Sequence, residues 1–391
     1  MSETVEIVAV TPAPALRNGG HVVAEVLARH GVREIFGQDS PEWLYEALDP
    51  SQLRAVTMRD ERSAGFAADT VARLTGRPTV AGGIHGPGAL NLTTALLEAQ
   101  AACSPLVALI SGVETTTFGS GAFQEADHVA IARPLVKWAV RVERPDRLES
   151  NLDRALRIAV AGRPGPVLVE LPNDVMQAPQ PARGGGADAA GALAPEAATG
   201  ASGLDAVATL LAGAARPVLL AGNGARMAGA ADALVALAER LDAPVAVTAM
   251  GRGAFPETHP LFAGVAGFMS DRADGSGAVA NEVLRTTDVL LVLGSALDGV
   301  TTDGGRLPGA DATIVRVDVD PEQPARSRRP ELVVQGDAAA VAAGLLDALG
   351  AAPASAPAAD GAASASAAAP QTATALAQRW AAVAAAQAEL G

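Results

Sequence analysis

Apolar positions fall along this chain in two alternating rhythms. Over residues 20–30 they return at helical spacing, with Val22, Val23, Val26 and Leu27 on one face, which predicts a helix. Residues 31–37 read as a turn and a short strand. Residues 61–75 are an Ala-rich helical stretch, 79–84 a strand, 90–101 a helix, 106–111 a buried strand, 148–161 a helix and 166–172 a last strand. From residue 204 the same grammar repeats. Helices are predicted over 204–214 and 230–241, and strands over 217–221, 244–248, 289–294 and 312–318. Strands alternating with helices of this length imply βαβ units and parallel sheets covered on both faces.

Two stretches break the rhythm. Residues 179–203 and 350–370 are rich in Ala, Gly, Pro and Ser and show no amphipathic period, so both read as linkers. They leave a first block at 15–178, a second at 204–349 and a tail at 371–391. The tail has no internal Gly or Pro before its last residue and reads as a helix. The expected fold class is α/β, with two doubly wound parallel-sheet domains, the second Rossmann-like in outline.

Composition narrows the classes of function. Of 391 residues, 49% are hydrophobic, 18% charged and 3% aromatic, so the cores must be built from Ala, Val and Leu. The net charge is −14, which argues against nucleic acid or an anionic membrane as partner. Residues 1–7 carry acids where a signal peptide needs bases, and the longest strongly apolar charge-free stretch, 99–113, is too short for a bilayer. A cytoplasmic location is expected. The single cysteine, Cys103, excludes an internal disulfide and is expected to be a buried small apolar residue.

Most familiar chemistry is missing. The five histidines, His21, His30, His85, His128 and His259, form no pair at metal-ligand spacing, so no metal site is expected on this chain. There is no Gly-x-Ser-x-Gly elbow and no Walker A loop. Gly222-Asn-Gly224 follows a strand but lacks the third glycine and the downstream acid of a dinucleotide site, and reads as a plain strand-to-helix turn.

The first block holds a more specific set. Met58-Arg-Asp-Glu61 places a carboxylate at a strand-to-helix junction. His85-Gly-Pro-Gly-Ala-Leu-Asn91 is a second, glycine-rich junction. Phe123-Gln-Glu125, Lys137-Trp138 and Gly165-Pro-Val167 follow in order. This series resembles the thiamine diphosphate (ThDP) enzymes of the acetolactate synthase and pyruvate oxidase group, and covers the first block almost end to end. The second block resembles the family's middle domain through Ala221-Gly-Asn-Gly224, Thr258-His-Pro260 and Val317-Asp-Val-Asp-Pro321.

The resemblance implies roles. Glu61 would hydrogen-bond the aminopyrimidine N1′ of ThDP and favour the imino tautomer that removes the thiazolium C2 proton; its alternative is an acid favoured by a helix N-terminus. Gly86, Pro87 and Gly88 would bring backbone close to the ring, and Asn91 would line the pocket or cap its helix. Gln124 would reach the substrate side or be a surface polar residue. His85 stands where the family commonly has Ser or Thr, and would act on the substrate or be a hydrogen-bonded loop residue. Phe36-Gly-Gln-Asp-Ser40 also departs from the family's Phe-Gly-x-Pro-Gly.

The family binds the diphosphate through Mg²⁺ held by Gly-Asp-Gly and an Asn about 25 to 30 residues later, hard oxygen ligands for a hard cation. That motif does not occur in these 391 residues. The resemblance therefore implies one subunit of a split ThDP enzyme. A smaller partner would carry the diphosphate-binding domain and the Mg²⁺ ligands, and this chain would self-associate through its pyrimidine domain. The implied reaction is decarboxylation of a 2-oxo acid with ligation of the carbanion to an acceptor carbonyl. A non-catalytic scaffold or regulatory subunit and a shortened form of a full-length enzyme are the alternatives. FAD occurs in some relatives, and no residue here demands it.

Overall fold

Strands that are apolar at every position need cover on both faces, and the chain supplies it twice. The computed structural model describes residues 17–180, 203–268, 276–321 and 329–351; most of both expected linkers and all of the expected tail helix lie outside them. The chain divides into two units, Met1–Pro195 and Glu196–Gly391.

The first unit holds strands β1 (Glu34–Gly37), β2 (Arg54–Thr57), β3 (Thr79–Gly83), β4 (Leu106–Gly112), β5 (Trp138–Arg141) and β6 (Val167–Pro172). Its helices are α1 (Gly19–Arg29), α2 (Glu42–Glu46), α3 (Glu61–Thr75), α4 (Pro87–Ala102), α5 (His128–Ala132), α6 (Leu148–Val160) and α7 (Asn173–Gln177). The sheet order is β2-β1-β3-β4-β6-β5 and every pairing is parallel. Alternate residues of β4 serve opposite faces. Val107 and Leu109 join Val23, Leu27, Leu152 and Leu156 under α1 and α6, while Ala108 and Ile110 join Ala64, Ala68 and Leu92 under α3 and α4. The second face is built largely of alanine, so α3 and α4 lie close, Gly65 against Ala95.

The second unit repeats the design. It comprises α8 (Leu204–Gly213), β7 (Pro217–Ala221), α9 (Asn223–Met227), α10 (Ala231–Leu241), β8 (Val245–Val247), β9 (Phe262–Val265), α11 (Ser276–Thr286), β10 (Val289–Leu293), β11 (Thr313–Asp318), β12 (Leu332–Gln335) and α12 (Ala338–Ala351). Its parallel order is β12-β11-β10-β7-β8-β9. Both units are thus α/β with parallel sheets, as the pattern predicts, and each sheet has six strands.

The differences lie at the edges. β2, β5, β9 and β12, the four edge strands, are absent from the elements predicted above. β5 is half-buried throughout and β12 is exposed at three of four positions, so neither is the fully buried strand of a sheet interior. The short α2, α5, α7 and α9 and the longer α11 and α12 are also additions, and α12 is so rich in Ala that its two faces hardly contrast. α4 starts at Pro87 rather than residue 90, because proline at the first helical position has its φ already set and needs no N–H partner. Cys103 is half-buried rather than buried. It closes α4 in a left-handed conformation, and its Sγ accepts from Arg163 Nε at 2.9 Å.

Leu109 is fully buried in the middle of β4. Leu109→Ala is expected to cost about 3 kcal/mol of first-unit stability through the cavity it leaves. Urea unfolding followed by fluorescence of Trp43 and Trp138, both packed against that face, measures it.

Candidate functional site

In a parallel sheet ligands are met at the carboxyl ends of the strands, beside the point where strand order reverses. Here that point lies between β1 and β3. Glu61 opens α3 just after β2. Asp60 caps the helix by accepting from Ser63 N–H at 3.1 Å, which leaves Glu61 free to turn inward. Its carboxylate is 7% exposed, and Oε2 accepts from Asn91 Nδ2 at 3.1 Å. Among the described residues Oε1 takes no hydrogen bond, and it lies against the bare Cα of Gly88. A Cβ there would stand 2.6 Å from Oε1 and 2.7 Å from Ile84 Cγ2.

Gly86 makes the turn before α4 with φ 68° and ψ −121°, a conformation closed to residues with a Cβ. Its neighbour across the turn is Gln124, itself at φ 58°, half-buried, with Oε1 enclosed and unpartnered. Pro87 is exposed at the start of α4. The structure thus brings Glu61, Gly88 and Asn91 together on one side of the turn, and His85, Gly86 and Gln124 together on the other.

His85 is tied down. Its N–H donates to Ser111 Oγ at 3.0 Å, and its Nδ1 meets the same oxygen at 2.9 Å. Burial first, and the neighbouring His128 second, push its pKa below the ordinary 6.5; a bond to the Phe123 backbone and the charge of Glu170 work the other way. The ring is therefore a neutral clamp between β4 and the 114–127 loop. That loop is folded around Glu125, whose carboxylate accepts from the N–H groups of Gly119, Gly121 (3.0 Å) and Ala122 (2.8 Å). Those backbone donors hold Glu125 below the usual carboxylate range. At the loop's start Asp174 accepts from Thr115 N–H at 3.0 Å and from its hydroxyl.

Sequence reasoning passed over a buried set behind the turn. Glu170 on β6 is 2% exposed and pairs with Arg141 of β5. Arg141 Nη2 also donates to the Val113 carbonyl at 2.6 Å, and its guanidinium lies 4.3 Å over the Phe118 ring. His128 is 3.4 Å from Glu170 and accepts from Gly86 N–H at 2.7 Å. One signal was available: Glu170 is a carboxylate inside the apolar strand Val167–Pro172, and a buried charge needs a partner. Lys137 of the Lys-Trp pair serves the fold, donating to the carbonyls of Ile158 and Ala161 at the end of α6. Among the described residues no group of three or more His, Cys, Asp and Glu is placed to hold a metal ion, and no helix is long and apolar enough to cross a membrane.

Residues 17–131 match the family described as "Thiamine pyrophosphate enzyme, N-terminal TPP binding domain", and residues 204–345 match "Thiamine pyrophosphate enzyme, central domain". The chain belongs to the thiamine pyrophosphate enzyme family. It is similar to the acetolactate synthase of Arthrospira platensis, 32% identical over 82% of this chain and 56% of that protein. It is also similar to the acetolactate synthase large subunit of Parasynechococcus marenigrum, 35% identical over 83% of this chain and 53% of the relative. The large subunit of acetolactate synthase isozyme 1 of Escherichia coli is 32% identical over 86% of this chain and 58% of its own length. The chain spans about half the length of the curated relatives it matches.

The residues present fit the aminopyrimidine half of the cofactor this family is named for. Glu61 offers a shielded acceptor with one oxygen fixed by Asn91 and the other unengaged, and the missing Cβ of Gly88 is what lets that carboxylate sit here.

The His85 clamp has a pH signature. A ring whose folded pKa is lowered contributes stability that is present above about pH 6.5 and lost as pH falls through the folded value. Deuterium exchange in a peptide covering 114–127 is expected to stay flat from about pH 8 to 6.5 and rise below it, while the β4 peptide stays protected; mass spectrometry reads both after correction for intrinsic exchange.

Proposed function

We propose that this chain is the pyrimidine-binding subunit of a two-chain ThDP enzyme that decarboxylates a 2-oxo acid and joins the remaining acyl carbon to an acceptor carbonyl. The observation that carries the reading is the Glu61 carboxylate, held by Asn91 against the bare Cα of Gly88. ThDP, when bound, supplies the electron sink that lets a bond next to a carbonyl break. Glu61 would accept and share a proton at N1′ of the aminopyrimidine. Asn91 fixes the direction of that carboxylate. Gly86 and Gly88 let backbone approach the ring, and Gln124 faces the acceptor side of the same turn. His85 keeps the 114–127 loop in place from within hydrogen-bond reach of Ser111.

The choice of reaction rests on the relatives, whose names are acetolactate synthases. No Gly-Asp-Gly with a following Asn occurs in these 391 residues, so Mg²⁺ and the diphosphate would be held by residues outside them, which we assign to a second, smaller chain. Two of the relatives are named large subunits, a name that implies a second kind of chain. Exposed apolar side chains sit on the elements that carry the site: Phe66, Ile84, Leu90, Phe118 and Phe123. Such side chains suit a covered face. We assign that cover to a partner bearing the diphosphate domain and to a second copy of this chain, in a cytoplasmic heterotetramer of two and two. The retained Glu61, Gly88 and Asn91 geometry weighs against a scaffold without turnover. FAD is not demanded by any described residue.

Glu61→Gln keeps the shape of the side chain but removes the shared proton. In the assembled enzyme it is expected to lower activity about a hundredfold or more and to slow C2 hydrogen–deuterium exchange of bound ThDP by a similar factor. Unchanged exchange would leave Glu61 only a helix-end acid.

A second expectation concerns assembly. Calorimetry of the chain alone with ThDP and Mg²⁺ should show weak binding, becoming tight on adding a chain that carries Gly-Asp-Gly. Light scattering of the co-expressed pair should give the mass of two copies of each. Tight Mg²⁺-dependent binding by this chain alone would overturn the split site.

A further inference from the structure

His128 opens α5 and is 3% exposed. Its two ring nitrogens face partners with opposite demands. Gly86 N, 2.7 Å from Nε2, can only donate, so Nε2 carries no proton. Glu170 Oε1 lies 3.4 Å from Nδ1, which makes no hydrogen bond among the described residues, so the carboxylate favours a proton there by its charge. Together they specify one state of the ring, neutral with its proton on Nδ1. The buried Gly86 amide has this nitrogen as its acceptor, and an orphaned buried N–H is costly.

We propose that His128 is a positioning residue of this site, holding the Gly86 turn by accepting its amide proton at Nε2, with the Glu170–Arg141 pair packed beside its other nitrogen. The turn has two outputs. On one side it sets Gly88 and Asn91 against Glu61; on the other it sets His85 and Gln124. A single bond to the backbone at its pivot therefore governs both. The proposal rests on the ThDP reading only for what the turn is positioned to meet. The bond itself exists in the chain without cofactor and is tested there.

The latch works in one protonation state. A second proton, on Nε2, would set two donors face to face and release the Gly86 amide. The charged and titratable groups facing His128 are Glu170 from β6, Arg141 from β5 and His85 from the end of β3. Glu125 faces Arg141 from the loop, and Asp127, on the helix of His128 itself, is turned to Ala130 N–H.

The test uses the full-length chain labelled with ¹⁵N. Long-range ¹H–¹⁵N correlation should show His128 at about pH 8 with Nδ1 protonated and Nε2 bare. A ring protonated on Nε2 overturns the proposal whatever any variant does. The exchange rate of the Gly86 amide is the second readout. In His128→Leu it should rise about tenfold or more at every pH, the loss of one hydrogen bond. His128→Gln places a non-titrating oxygen near the position of Nε2. It should keep the protection that His128→Leu loses, which a merely space-filling role for His128 would not predict. Equal Gly86 protection in wild type and a folded His128→Leu would overturn the proposal.

Discussion

The Gly86 turn is the constraint on which the first unit's chemistry depends. Its backbone adopts a conformation that only glycine holds without strain, and it does so between two neighbours that leave no slack, Gln124 on one side and His128 on the other. Pro87 follows at once and starts α4 with its φ already fixed. The turn therefore has one shape. Because Gly88 and Asn91 lie within the first turns of α4, that shape also decides where the Glu61 carboxylate rests.

Around this turn the protein places its least soluble charges. Glu170 and Arg141 are nearly enclosed, and a buried ion pair gives little net stability against its desolvation. Its value here is directional. It sets a charge 3.4 Å from His128 Nδ1, and it anchors the 114–127 loop through Val113 and Phe118. Glu125 does the same from the solvent side with backbone donors. The loop that carries the Phe-Gln-Glu motif is held from both ends and from the middle. That explains how Gln124 sustains a left-handed backbone that a non-glycine residue seldom adopts.

The two units share a grammar but differ in what they do with it. In the first, the carboxyl ends of the strands gather Glu61, the Gly86 turn, Ser111, Arg141 and Glu170. In the second, the corresponding turns are packed shut: Gly222 and Gly224 lie against the backbone of Gly294 and Ser295, so closely that a Cβ at either glycine would strike it. The dinucleotide-like Gly-Asn-Gly of this unit serves chain packing, in keeping with its match to a central domain.

Sequence alone determined the alternation of strands and helices, both parallel sheets and the carboxylate at the start of α3, because buried strands and amphipathic helices impose periods that any reader of the chain can count. It also exposed the ordered motifs that identify the family. It did not determine the edge strands β2, β5, β9 and β12, which are short and gain their definition from pairing with one neighbour. Nor did it reveal the role of His128. That residue looked like one of five scattered histidines because its partners, Gly86, Arg141 and Glu170, come from three other strand ends and meet only when the sheet is assembled. Local periodicity fixes elements; a polar cluster drawn from β3, β5, β6 and α5 is a property of their order in the sheet, and the tertiary structure decided it.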